Sequence, residues 1–270
     1  MMTPIRLNKM ISHNTRHSRR EADKLIQDGQ VSVDGEIVTD MSTKVTYDNK
    51  IRIKDRSLYR KTKYSVIVYH KQKGELVSKK DDRGRKTIYD TLPSKFSHFM
   101  SVGRLDFTSE GLLLLSDAAD IVSALMHGDL ERVYYVKIKG LVTEHMQKAM
   151  REGLYLEDAS KGGHEMSHVR SMEFAPFVDY RVIKSRPTYS TIKVTINEGK
   201  NRELRRFFGY FDTEVVGLKR VSYGKIDLDM LKPGKHRFLT NTEYDALRDY
   251  LSYSKNEEAK KFDKQPSSEI

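Results

Sequence analysis

Apolar and polar positions along this chain follow two periods, and the changes between them mark its elements. The clearest buried stretch is Leu112 to Leu115, four consecutive apolar residues between Gly111 and Ser116-Asp117, which predicts a buried strand. Near the start, Ser18-Arg19-Arg20-Glu21 has capping-box spacing, and Ala22, Leu25 and Ile26 follow on one helical face. That helix is predicted to stop at Asp28-Gly29, where glycine accepts a left-handed C-cap. Val31-Ser32-Val33 and Glu36-Ile37-Val38 alternate with period two around Asp34-Gly35, the signature of a tight hairpin. Val45 and Ile51-Arg52-Ile53 add strand, so residues 1–60 read as a small α/β module. Arg56 to Lys63 is basic and aperiodic and reads as a linker.

Tyr64 to Tyr69 alternates as a strand before a turn at Lys71-Gln72-Lys73-Gly74, and Thr87 to Leu92 predicts a short helix ended by Pro93. Ala118 to Met126 predicts a helix with Ile121, Val122, Leu125 and Met126 on its apolar face. Glu131 to Ile138 is a strand rich in aromatic and β-branched residues. Its adjacent Tyr134 and Tyr135 must face opposite ways, so one can line a cleft while the other packs. Tyr189 to Asn197 is a strand with Ile192, Val194 and Ile196 on one face, and Asn201 is the predicted N-cap of the next helix. Val215 to Ile226 gives one or two strands, and Arg237-Phe238-Leu239 another. Thr240 to Glu243 is a second capping box, opening a helix through Tyr250. Residues 254–270 are polar and aperiodic, as in disordered tails.

At 270 residues the chain has room for one large domain and a small one. No run of 18 apolar residues is present, residues 1–6 have no signal-peptide core, and there is no cysteine. This pattern fits a cytoplasmic protein without thiol or disulfide chemistry. The formal charge is +11, and residues 1–63 hold 14 Lys or Arg against 8 Asp or Glu, a net +6. Such a concentration favours a polyanion-binding face. Arg19, Arg20 and Lys24 lie on the capped helix, with Arg6 and Lys9 before it. Cations there oppose the helix dipole unless phosphates occupy that end.

The candidate chemistry stands at Gly103-Arg104-Leu105-Asp106, just before the leucine run. Opposite charges two residues apart at the mouth of a buried strand are either an internal ion pair locking a loop or a reactive carboxylate held ionised by arginines. A second basic stretch, Glu198 to Phe208, places Arg202, Arg205 and Arg206 on a helix after a glycine turn, with Leu204, Phe207 and Phe208 as its apolar contacts. His164-Glu165-Met166-Ser167-His168 matches a zinc-hydrolase motif. It follows two glycines without an amphipathic helix around it, so no metal is assigned.

Gly103-Arg104-Leu105-Asp106 with Thr108-Ser109-Glu110-Gly111 and the leucine run resembles the signature of RNA pseudouridine synthases, on the branch acting on ribosomal RNA. Residues 1–60 resemble the S-four RNA-binding domain through Arg6-Leu7-Asn8-Lys9, Ser18 to Ala22 and Gly29 to Gly35. The resemblance implies an α+β chain: the RNA-binding module at 1–60, a catalytic domain at 61–253 with a mixed, mostly antiparallel sheet flanked by helices, and the tail at 254–270. It also implies isomerisation of a ribosomal RNA uridine, of the large subunit, with Asp106 as the catalytic carboxylate and Tyr134 and Arg205 as its active-site companions. Arg205 would pair with Asp106, Leu204 would lie under the target base, and Arg104 and Arg202 would contact RNA in the cleft. The reaction involves no redox step or hydrolysis, so neither cofactor nor metal is expected. Ribosomal RNA is the expected partner of a monomer. A non-catalytic RNA-binding or ribosome-assembly factor on the same fold is the alternative. Glu203 stands where the family usually has glutamine, and Arg132 where lysine is usual.

Overall fold

The computed structural model describes residues 4–59, 64–164 and 167–263. β1 (Ile5–Arg6) leads into α1 (Leu7–Asn14), followed by α2 (Arg19–Gln27). The Ser18–Glu21 capping box is closed in both directions, with Ser18 N donating to Glu21 Oε2 at 2.6 Å and Glu21 N to Ser18 Oγ at 3.2 Å. β2 (Val31–Val33) returns as β3 (Glu36–Ile37) through Asp34 and Gly35, both at positive φ, as a two-residue hairpin requires. β4 (Lys44–Val45) pairs with β1, and β5 (Ile51–Ile53) sits between β2 and β6 (Arg56–Ser57). Leu7, Met10 and Ile11 pack on Ala22, Leu25 and Ile26 to close a separate small core. The expected linker is shorter than its polarity suggests. Arg56–Ser57 pairs with β5 as strand, and residues 60–63 lie outside the described residues.

The larger part alternates strands and helices. β7 (Val66–Lys71), α3 (Ile88–Thr91), β8 (Met100–Ser101) and β9 (Glu110–Ser116) come first. α4 (Ala119–His127), β10 (Arg132–Lys139), α5 (Glu144–Glu152), β11 (Leu154–Leu156) and β12 (Met172–Phe174) follow. β13 (Asp179–Lys184), β14 (Tyr189–Ile196), α6 (Glu203–Tyr210), β15 (Val215–Tyr223), β16 (Ile226–Asp227), β17 (His236–Phe238) and α7 (Asn241–Asp263) complete it. Among the described residues one nine-stranded sheet runs β13-β14-β10-β15-β9-β7-β17, with β8 beside β9 and β16 beside β15. Only the β15–β9 ladder is parallel within it, so the sheet is mixed and mostly antiparallel.

Both faces of the sheet centre are covered. Leu113 and Leu115 of β9 join one core with Ile67, Tyr134 and Phe207, while Leu112 and Leu114 join another with Val66, Ile121 and Leu247. Full burial of each leucine contributes roughly 1.5–3 kcal/mol. The strand expected to alternate from Tyr64 to Tyr69 runs instead from Val66 to Lys71 and is buried at every position, because helices cover it on either side. Gly111 lets β9 and β15 approach closely. At φ +109° it sits where a Cβ would lie 2.1 Å from the Arg220 carbonyl oxygen. The tail expected to be disordered from residue 254 continues α7 to Asp263, and residues 264–270 lie outside the described residues.

Candidate active site

The loop between β8 and β9 carries Asp106 at the end of the central strand. Gly103 takes φ +68°, a conformation that favours glycine, and Ser109 N donates to Asp106 O at 3.0 Å to tighten the turn. Underneath lies Lys71, a fully buried cation at the end of β7. Its Nζ donates to the backbone oxygens of Gln72 (2.9 Å), Asp106 (3.0 Å) and Ser109 (2.8 Å). Burial pulls its pKa down to about 8, against the favourable fields of Glu75, Asp106 and Glu110. In the sequence Lys71 reads as the start of a polar turn; in the structure it is the last residue of β7.

The Asp106 side chain meets two guanidinium groups from the start of α6. Arg205 Nε donates to Asp106 Oδ2 at 3.2 Å, and Arg202 Nη1 lies 3.7 Å from the same oxygen. Arg205 also donates to Val215 O at 3.0 Å and to Ser109 Oγ at 3.2 Å, and its own burial lowers its pKa. Asp106 therefore pairs with arginines far along the chain, while Arg104 is an exposed side chain on the rim of the same cleft.

The cleft has a volume of about 440 Å³, within the size class of small-ligand sites. Asp106, Tyr134, Leu204, Arg202 and Arg104 all line it, and Arg205 reaches it through Asp106. Tyr134 is buried against the core, whereas Tyr135 on the other face is exposed. Leu204 is buried beneath the cleft from the first turn of α6. Arg132, Arg220 and Tyr223 also line it; Arg132 holds the family's usual lysine position, whereas Arg220 and Tyr223 fall in an expected strand to which the sequence assigns no chemistry.

The α6 N-terminus differs from the expected cap. Asn201 is not the N-cap; Arg202 is, at φ +51° and ψ 33°. A left-handed conformation is uncommon for arginine and marks local strain. Asn201 is engaged instead by Arg206, which donates to its backbone oxygen at 3.0 Å and to its Oδ1 at 3.1 Å. The Glu203 carboxylate turns back to accept from Lys200 N at 3.0 Å. Burial raises the Glu203 pKa to about 7.

The polar insertion at 157–168 is fastened onto this helix. Arg206 is fully buried and donates to Ala159 O and to Ser167 Oγ, the latter at 2.7 Å. Arg202 Nε donates to Gly162 O at 2.8 Å, and a Cβ at Gly162 would lie 2.1 Å from Arg205 O. His164 and His168 lie in irregular backbone, not on the helix a zinc-hydrolase motif needs, and residues 165–166 lie outside the described residues. In the small module, Arg19, Arg20 and Lys24 are exposed on α2, Arg6 is exposed in β1, and Lys9 is half-buried on α1.

Residues 65–210 match the model of the RNA pseudouridylate synthase family, and residues 5–50 match that of the S4 domain. An uncharacterized RNA pseudouridine synthase of Helicobacter pylori (strain ATCC 700392 / 26695) is 49% identical over 254 residues, covering 93% of this chain and 97% of that protein. The ribosomal large subunit pseudouridine synthase B of Bacillus subtilis (strain 168) is 32% identical, covering 93% and 98%. Among solved structures, a crystal structure of pseudouridylate synthase superposes with a TM-score of 0.60 at 28% identity, covering 90% of this chain and 99% of that one.

Proposed function

This chain belongs to the RNA pseudouridylate synthase family, and from that premise we propose that it isomerises a specific uridine of large-subunit ribosomal RNA through Asp106, acting as a cytoplasmic monomer. The observation that carries the site assignment is the Arg205–Asp106 contact of 3.2 Å beside a cleft of about 440 Å³, which has room for an extruded nucleotide. The large-subunit assignment rests on likeness to the Bacillus subtilis protein across nearly the whole of both chains.

The target nucleotide must leave its stack to enter the cleft, at roughly a few kcal/mol. Both arginines engage Oδ2 of Asp106, which leaves its other oxygen for the sugar. That oxygen either bonds to C1′ or takes the 2′ proton. In both routes the N1–C1′ bond breaks and the base departs with the electron pair. The base turns over Leu204 and C5 bonds to C1′ as the Asp106–C1′ bond breaks in the first route, or as Asp106 returns the proton to C2′ in the second; the C5 proton moves to N1 overall. Tyr134 stacks on the base and assists proton transfer at C5. Atoms and electrons balance without a cofactor or metal. The small module adds phosphate contacts through Arg6, Lys9, Arg19, Arg20 and Lys24, and the cleft supplies base selection.

Tritium release from C5-labelled ribosomal RNA tests the reaction, and mapping pseudouridines after deletion of the gene tests the substrate. An intact modification pattern in both ribosomal subunits refutes the substrate assignment.

A further inference from the structure

Several cations lining the cleft have no task in the mechanism above, and the most buried of them is Arg220. Arg220 lies on β15 at the centre of the sheet, paired in register with Tyr134 on one side and Gly111 on the other. Its side chain lines the cleft and is 3% exposed. Nε donates to Leu112 O at 2.8 Å, but Nη2 is enclosed with no acceptor among the described residues. A buried charged donor left unpaired is costly, so this nitrogen calls for an acceptor. The guanidinium rests 5.2 Å from the Tyr223 ring centroid, and Arg132 lies 4.9 Å from the same centroid. Of the carboxylates lining the cleft, Asp106 is taken by Arg205 and Arg202, Glu198 pairs with Lys200 at 2.9 Å, and Glu203 accepts from Lys200 N at 3.0 Å. This end of the cleft is therefore electropositive and suits an anion.

The proposed reaction supplies one. When N1–C1′ breaks, the pair stays on N1 and spreads to O2 and O4, so the detached uracil is an anion until C5 bonds to C1′. An RNA phosphate is also anionic, but it belongs to a polymer too bulky to follow one base into the cleft, and Arg220 is buried at the central strands. The flipped base is the part of the substrate that reaches this depth. We propose that Arg220 is a further catalytic residue, whose guanidinium fork donates to a carbonyl oxygen of the detached uracil and stabilises its negative charge while it turns. The Leu112 carbonyl and the close β9–β15 contact at Gly111 fix the guanidinium in advance, as electrostatic stabilisation requires. The proposal rests on the pseudouridine synthase reading of the same cleft.

The test compares wild type with Arg220→Gln under single-turnover conditions, on RNA carrying either uridine or 5-fluorouridine at the target. Fluorine stabilises the departing base anion and lowers the demand on the enzyme. We expect Arg220→Gln to react about 10²–10³-fold more slowly on uridine RNA with RNA affinity unchanged. On 5-fluorouridine RNA, which has no C5 proton to lose, loss of the N1–C1′ linkage is the step followed, and there the defect should shrink by roughly tenfold or more. Arg220→Lys, which keeps a cation and a donor, should recover part of the rate, and it serves as the second variant should the glutamine protein fail to fold. An equal defect on both substrates overturns the proposal in favour of a purely structural role. Weaker RNA binding with an unchanged rate at saturation overturns it in favour of a phosphate contact. Absence of turnover by wild type on any ribosomal RNA would instead sink the functional reading beneath it.

Discussion

Arg205 Nε stands 3.2 Å from Asp106 Oδ2 although 99 positions separate the two residues. The contact joins the loop entering β9 to the first turn of α6, and the same guanidinium fixes Val215 O and Ser109 Oγ. A planar fork suits this work, since it can hold three acceptors in fixed directions. The carboxylate is thus aimed before substrate arrives.

Asp106→Asn keeps the shape of the loop but removes the charge that acts on the sugar. We expect its turnover to fall by about 10⁴-fold or more while RNA affinity stays within about twofold of wild type. Tritium release and filter binding on the same preparations check both halves. Product formation at the wild-type rate would remove Asp106 from the mechanism.

Lys71 gathers three backbone oxygens beneath the same loop, two of them from Asp106 and Ser109. Lys71→Met fills the space but leaves these oxygens without a donor. Unsatisfied buried carbonyls make the variant less stable by roughly 2–4 kcal/mol. Turnover should fall with it, because Asp106 loses its support. Urea denaturation measures the first effect and single-turnover kinetics the second; a variant as stable as wild type contradicts the account.

What the sequence made legible was local. The motif at Gly103 to Asp106, the leucine run and both capping boxes each state their structure within a few residues, and the structure has them there. Contacts that depend on competition between distant partners were not legible. Asn201 has the chemistry of an N-cap, but Arg206 claims both its oxygens. Arg206 itself reads as one more surface cation on a basic helix, whereas it is buried where the 157–168 insertion crosses α6. α5 carried usable signals in Thr143, whose Oγ1 accepts from Met146 N at 3.2 Å, and in Gly153 at φ +85°. β13 carried one too, the polar–apolar alternation Asp179-Tyr180-Arg181-Val182, which its place at the sheet edge leaves only half-buried.

Glu203 makes stability depend on pH. Its folded pKa, raised to about 7 by burial, exceeds the ordinary value of 4.5, so between these values the folded state binds more protons than the unfolded one. Stability from this group is therefore fully present below pH 4.5 and is lost as pH rises through about 7. Glu203→Gln keeps an acceptor for Lys200 N without a charge to bury. The variant should exceed wild type in stability above pH 7 by up to roughly 3 kcal/mol, with the gap narrowing as pH falls toward 5. Melting curves at pH 5 and 8 decide this, and a gap independent of pH contradicts it.

The small module is expected to act through charge, so salt is its natural probe. Arg19, Arg20 and Lys24 are exposed on α2, beside the outward-facing amide groups of its first turn. If each neutralises one phosphate, removing all three charges lowers the slope of log affinity against log salt by roughly 2–3. The triple variant Arg19→Gln, Arg20→Gln, Lys24→Gln leaves the Ser18–Glu21 capping box and the Ala22–Leu25–Ile26 core contacts in place, so the module should stay folded. Its turnover at saturating RNA should match wild type, because the cleft is built from other elements. Binding isotherms across a salt series provide the measurement. An unchanged slope would mean that this face does not touch the RNA backbone, and affinity would then have to come from the rim of the cleft, where Arg104 and Lys200 remain.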